Sequence, residues 1–214
     1  MSGSDSPKRR DKEQTKERLV EAVISLIREK GYEEIGVNSV ADRAGVSKVL
    51  IYRYFGGLDG LYRAAADRLD PLQAEAADRL FERFEAESPG GNGTSVHSVI
   101  RQTILDLHMA LKHDELTKNL LIWELSNSNS ITEAFSQARE ETGLRLTERY
   151  GRLLEDRGGP HPKDLNALLA LVTAGVFYLT LRSDAVNEFN GIEIASEEGW
   201  ERIERAGGNV PRIP

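Results

Sequence analysis

The sequence predicts an all-α protein of about nine or ten helices. Three observations carry that expectation. Apolar residues recur three and four positions apart through most of the chain. The breaks between such stretches are short and marked by Gly, Pro, Asp, Asn or Ser. No stretch alternates apolar and polar residues as a half-buried strand does, no pair of strands is joined by a hairpin turn, and no internal repeat is present.

Residues 1–14 are polar and without periodicity, which reads as a flexible arm. Its Lys8, Arg9, Arg10 and Lys12 are placed to touch phosphates or to remain a solvated tail. From Thr15 the pattern turns helical, with Leu19, Val20, Val23, Leu26 and Ile27 on one face, and Gly31 is a candidate left-handed cap. A short helix follows from Val37 to Ala44. After the break at Gly45 a third runs to Phe55, with Ser47 as its expected N-cap. Gly56-Gly57 breaks the chain again, and a fourth helix covers Leu58 to Leu69. Asp70-Pro71 opens a further helical stretch carrying Leu72, Leu80, Phe81 and Phe84. Residues 88–94 are a loop by composition. Helices are expected over 95–113, 115–125 and 131–156. Asp164 is the expected cap of an apolar helix that reaches Ser183, Phe189 to Ile192 is a loop, and Ser196 caps a last helix to Ala206.

The segment Val37 to Phe55 carries the sharpest functional signal. Two short helices flank a tight turn at Gly45-Val46. Ala41 is small where they must approach, and glycine accepts a backbone conformation that other residues resist. Val40, Val46 and Ile51 are apolar where the helices would face each other and the first helix. This is the pattern of a helix-turn-helix, whose second helix enters the major groove of DNA. The candidate DNA contacts are Asn38, Ser39, Ser47, Lys48, Val49, Leu50, Tyr52, Arg53 and Tyr54. Lys48 and Arg53 can reach phosphates or guanine edges. The tyrosines offer hydroxyls to phosphates, and Val49 and Leu50 can meet thymine methyls. Charge agrees with this placement. The chain has a net charge of −7, but residues 1–57 hold 11 Lys/Arg against 9 Asp/Glu, and the remainder 17 against 26. A mildly basic head on an acidic body suits contact with nucleic acid through the head alone.

Residues 15–69 resemble the DNA-binding domain of the tetracycline-repressor (TetR) family. The matching residues are Gly31-Tyr32-Glu33, Val37, Val40-Ala41, Ala44-Gly45-Val46-Ser47-Lys48, Ile51-Tyr52, Tyr54-Phe55 and Leu61. The resemblance covers about a quarter of the chain. It departs from the usual pattern at Gly36, where Thr or Ser is customary, at Val49 and Leu50, and at Leu58, where a lysine is usual. Asp59 keeps the acidic member of that last motif, and Gly60 replaces another. Fewer ionic contacts and a shallower salt dependence are expected. The resemblance implies domains at 15–57 for DNA and 58–214 for ligand binding and dimerisation. It further implies a repressor that binds a palindromic operator as a homodimer, with half-sites about 34 Å apart, and that a small molecule releases.

In the body, the helix from Leu165 to Leu181 is apolar on nearly all sides and reads as a buried core helix. Asn166, Thr173 and Thr180 interrupt it, so no membrane span is expected. With the long helix before it, it is a candidate four-helix dimer interface. Aromatic and polar groups set among apolar residues nominate Phe84, Leu107, His108, Leu111, Trp123, Glu124, Phe177 and Tyr178 as lining of a pocket for a lipophilic or aromatic ligand.

Other chemistry is not supported. There is no cysteine, which excludes disulfides and thiolate sites and suits a reducing cytosol. The polar opening sixteen residues do not read as a signal peptide, so a cytoplasmic protein is expected. His97, His108, His113 and His161 lack metal-ligand spacing. The glycines at 90–93 lack the Gly-Lys-Ser/Thr ending of a phosphate loop. No catalytic residue set, cofactor or metal is expected. Two rivals remain at this level: a helix-turn-helix protein without small-molecule control, and a helical ligand-binding protein or enzyme with a vestigial DNA head.

Overall fold

The structure is a computed structural model that describes residues 7–31, 35–69, 82, 95–156 and 164–208. Nine named helices lie among the described residues: α1 (Pro7–Lys30), α2 (Val37–Ala44), α3 (Val49–Phe55), α4 (Leu58–Leu69), α5 (Val96–Leu111), α6 (Glu115–Ser126), α7 (Ser130–Asp156), α8 (Leu165–Ser183) and α9 (Glu197–Gly207). The stretch expected to begin at Pro71, with Phe84, and the TetR-like residues Tyr32 and Glu33 lie outside the described residues. No strand occurs among the described residues. One antiparallel bridge joins Phe189 and Ile192 across Asn190 and Gly191, both at positive φ (50° and 73°). Asn-Gly favours such a two-residue turn, so the expected loop here is a tight hairpin.

The helices gather into two compact units. One takes the described residues of Met1–Asp70 and Asn119–Arg139, the other those of Pro71–Lys118 and Glu140–Pro214. In the first unit α1 packs on α2 and α4, and α3 packs on α4. Its core includes Leu19, Val23 and Ile27 of α1, Val40 of α2, Ile51 of α3, and Leu61 and Ala65 of α4. The fourth helix, assigned to the body by sequence, therefore belongs with the head.

The first helix starts at Pro7, eight residues before the expected position. Proline suits a first turn. Lys16 pairs with Glu13 at 3.5 Å and the Thr15 hydroxyl donates to the Asp11 carbonyl at 2.7 Å. A helical stretch exposed on all sides carries no apolar period, which is why pattern alone reads residues 7–14 as an arm.

Gly31 and Gly45 take left-handed backbone, at φ 74° and 63°. The Gly31 N–H returns to the Ile27 carbonyl at 3.0 Å. The Arg18 guanidinium donates to the carbonyls of Ala44 and Gly45 and so ties the turn between α2 and α3 to α1. A Cβ at Gly45 would sit 3.1 Å from that guanidinium. Gly45→Ala is therefore expected to cost about 1–2 kcal/mol, read as a lower urea midpoint. A midpoint equal to that of the parent would show that the turn does not need glycine.

The second unit is built on α5 against α8 and α9. One apolar cluster joins Val99, Tyr150, Leu154, Leu165 and Leu169. A second joins Ile100, Ile104, Leu107, Val176 and Trp200. Ser196 caps α9 as expected, its hydroxyl accepting from the Gly199 N–H at 3.0 Å. Asp164 precedes α8 but makes no side-chain cap bond.

The expectation of a buried α8 needs correction. Leu165, Leu169, Val176 and Thr180 are buried, but Ala167, Ala170, Ala174 and Gly175 are not, and Leu171 (74%) and Tyr178 (51%) are exposed. Residues 167, 171, 174, 175 and 178 share one face by helical spacing. Its mean hydropathy of 1.6 makes α8 apolar and long enough to span a bilayer by composition alone. An all-apolar helix need not be covered on every side by its own chain.

Candidate nucleic-acid interface and body cavity

The helix-turn-helix sits on a packed scaffold. Ile51 is fully buried on the inner face of α3, which turns Tyr52 and Arg53 outward. Lys48, Val49, Tyr52 and Arg53 are exposed, Val49 and Tyr52 by 64% and 57%. Ser47, Leu50 and Tyr54 are part-buried or at the margin of exposure. Lys12 stands 5.8 Å and Arg53 6.0 Å from the centre of the Tyr54 ring, close enough for cation–π attraction. Lys12 and Tyr54 thus meet on the surface of the head.

The expected Ser47 cap is not formed. The helix begins at Val49, Lys48 holds the cap position, and no side chain caps it. Ser47 instead accepts the Leu50 N–H at its carbonyl, at 3.0 Å, which leaves its side chain beside the first turn. Asn38 lies at the start of α2. Ser39 is engaged locally: its hydroxyl accepts from the Gly36 N–H at 2.9 Å and donates to the Gly36 carbonyl at 3.0 Å. Ser39 thus satisfies backbone groups at the helix start that Gly36, without a side chain, cannot serve.

Three further residues hold the reading element in place. Arg18 clamps the turn. Arg43 of α2 donates two bonds to the Glu29 carboxylate of α1, at 2.7 and 2.6 Å, and this pairing holds the Glu29 carboxyl below its ordinary pKa. The Tyr62 hydroxyl of α4 donates to the Ile35 carbonyl just before α2, at 3.1 Å. Burial, with the charge of Asp59, pushes its phenol up to about 12. Sequence reading misses all three, because each pairs residues 14 to 27 positions apart. Lone charges on exposed helix faces give no sign of them.

The nominated pocket residues do not converge. Leu107 lies in the apolar cluster of α5, α8 and α9, with Phe177 packed against it. Leu111 is fully buried. Tyr178 meets the Phe189 ring edge-on at 5.6 Å. Trp123 and Glu124 belong to the first unit. There Glu124 pairs with Arg139, and a Cβ at Gly31 would lie 3.7 Å from the Trp123 ring. Phe84 lies outside the described residues.

Of that set, His108 alone lines a cavity of about 200 Å³ in the second unit, together with Lys112, Lys118, Thr180, Asp184 and Trp200 among others. The His108 ring stacks on Trp200, with centres 3.7 Å apart and planes 17° apart. Trp200 is fixed by its indole N–H, which donates to the Ile194 carbonyl at 2.8 Å. Burial, then the charges of Lys112 and His113, push His108 down to about 4, against the pull of Glu197. Its imidazole is neutral at physiological pH. Lys118, almost fully buried, bonds Asp184 at 2.8 Å and Glu115 at 2.6 Å. No cluster of three or more metal-ligating His, Asp or Glu occurs among the described residues.

Comparison with known proteins agrees with this geometry. The family described as "Bacterial regulatory proteins, tetR family" matches residues 15–65, the stretch that runs from α1 through most of α4. The HTH-type transcriptional repressor KstR of Rhodococcus jostii (strain RHA1) is 22% identical over 202 residues, covering 91% of this chain and 87% of the relative. A TetR-family regulator from Streptomyces coelicolor shares the fold at a TM-score of 0.55, with 21% identity over 90% of this chain and 96% of its own. FadR from Bacillus subtilis, solved in complex with stearoyl-CoA, matches at a TM-score of 0.60 with 14% identity, over 89% and 98% of the two chains. FadR from Thermus thermophilus, in complex with lauroyl-CoA, matches at 0.58 with 19% identity, over 93% and 97%. The helical body thus follows the architecture of these regulators, and through its helix-turn-helix head the chain belongs to the tetR family of bacterial regulatory proteins.

Proposed function

We propose that the protein is a transcriptional repressor that binds a palindromic operator as a homodimer and lets go when a lipophilic effector, of the acyl class, occupies its body. The observation that carries this reading is the outer face of α3. It presents Lys48, Val49, Tyr52 and Arg53 to solvent while Ile51 anchors the helix from beneath. The reading is of a regulator and not an enzyme, acting in the cytoplasm where its operator lies.

The uncovered apolar face of α8, with Leu171 and Tyr178, and the exposed Leu144 of α7 support a dimer built on these two helices. Exposed apolar surface of this kind marks an interaction site, and small residues on it allow close helix approach. A two-fold dimer sets two recognition helices about one DNA turn apart, near 34 Å. Effector class is carried over from the two FadR proteins solved with acyl-CoA. Release then follows from differential affinity: a ligand that binds the DNA-incompetent arrangement more tightly draws the population toward it.

The test is selection of bound duplexes from a random pool by the full chain, followed by titration of the selected complex with lauroyl-CoA and stearoyl-CoA. Enrichment of an inverted repeat and release by either ligand are expected. Failure to enrich any inverted repeat overturns the DNA reading. Enrichment without release by either ligand overturns the acyl effector alone.

A further inference from the structure

The cavity walled by α5, α6, α8 and α9 contains hydrogen-bonding groups that the protein does not use. His108 and Thr180 both line it. They are exposed by only 8% and 2%, and neither His108 Nδ1 nor Thr180 Oγ1 has a partner within the protein. A helical threonine hydroxyl commonly bonds the carbonyl one turn back. Thr180 forgoes that bond. Buried polar groups without partners are uncommon, and each calls for an explanation. Two of them on the wall of one cavity point to a ligand that completes both.

The charges say what kind of ligand. Lys112 and Lys118 also line the space. Lys118 is saturated by Asp184 and Glu115, so those carboxylates are already neutralised. Lys112 has a looser partner in Glu197, at 3.1 Å, whose side chain is 86% exposed. An exposed ion pair of this type is worth little, so an incoming anion can take its place. The donors left over are the Lys112 ammonium, the Thr180 hydroxyl and, in its Nδ1–H form, the neutral His108 ring. The volume of about 200 Å³ lies below the roughly 300–1,000 Å³ of pockets for drug-sized ligands. A long acyl chain does not fit so small and polar a space.

We propose that this cavity binds a small oxyanion, a short carboxylate or a phosphate. Lys112 exchanges Glu197 for the ligand, and Thr180 and His108 donate hydrogen bonds to it. The site is separate from the acyl effector and does not depend on the DNA reading.

The experiment titrates the full chain, without DNA, with sodium acetate in one arm and inorganic phosphate in the other, against sodium chloride at matched ionic strength. The His108 imidazole resonances report occupancy. A saturable shift in the acetate or the phosphate arm, with a flat chloride arm, is expected, and the responding arm names the anion. Thr180→Val keeps the side-chain shape and removes only the hydroxyl. Lys112→Met keeps most of the stem and removes the charge. Each is expected to weaken the response by at least about 10-fold, about 1.4 kcal/mol, with an unchanged far-UV spectrum. No saturable shift in either arm, a chloride response equal to the others, or equal affinity in both variants overturns the proposal.

Discussion

Replacing Lys48 and Arg53 together by alanine is expected to weaken operator binding by about 100- to 1,000-fold. Each side chain is exposed beside the buried Ile51, so the substitution removes charge and reach without disturbing the core. A well-formed base contact is worth about 1–3 kcal/mol, and a symmetric dimer is deprived of each side chain twice. The measurement is a binding isotherm on the selected operator at several salt concentrations. Removing a cation that neutralises a phosphate lowers the magnitude of the salt slope by about 0.9, whereas removing a base-reading group relaxes sequence preference and leaves the slope alone. Thermal stability should stay within about 0.5 kcal/mol of the parent, as is usual for surface changes. Unchanged operator affinity in the double variant would show that α3 is not the reading helix.

The second large effect lies in the ion pair of Arg139 and Glu124. Their side chains are exposed by only 14% and 15%. Removing one partner of a buried pair leaves a charge without compensation, at a typical cost of about 3–5 kcal/mol. Water reaches this pair to some extent, so Arg139→Ala is expected to cost about 2–3 kcal/mol, measured by urea unfolding at pH 7. The loss should depend on pH. Burial raises the Glu124 pKa, and Arg139 pulls it back only in part. Without Arg139 it rises further. A carboxyl whose folded pKa is raised keeps its proton where the unfolded chain has released it, so acid favours the fold. The penalty is in full force above the folded pKa and is relieved as pH falls through it. The deficit of Arg139→Ala against the parent is therefore largest near pH 7 and narrows toward pH 5. Adding Glu124→Gln should recover part of it. A gap that is constant with pH would place the cost elsewhere than Glu124.

The head is legible in the sequence because its constraints are local. Gly45, Ala41 and Val46 lie within six residues, and one turn decides their chemistry. The residues that lock the turn are not legible, since the partners of Arg18 lie 26 and 27 positions away and an arginine on an exposed face shows no partner in the sequence. The body is legible as helices and not as a site. His108 stands out as polar within an apolar run, but nothing local links it to Trp200, nor Lys118 to Asp184, 66 positions on. Glu124 reads as a pocket group for the same reason. A half-buried acid on an apolar helix looks alike whether it meets a ligand or an arginine. The apolar character of α8 marks its length correctly, but a helix hydrophobic all round carries no period to say which face its own chain covers.

Val49 leaves an uncharged, branched side chain 64% exposed on the outer face of α3. On the proposed docking it stands where a C5-methyl group projects into the major groove. Thymine carries that methyl, and so does 5-methylcytosine, at the same ring position. At a cytosine within reach of Val49, enzymatic methylation of the DNA would thus add an apolar contact where a lysine or arginine reader gains nothing. Binding of this protein to its operator would then respond to the methylation state of the chromosome as well as to its sequence.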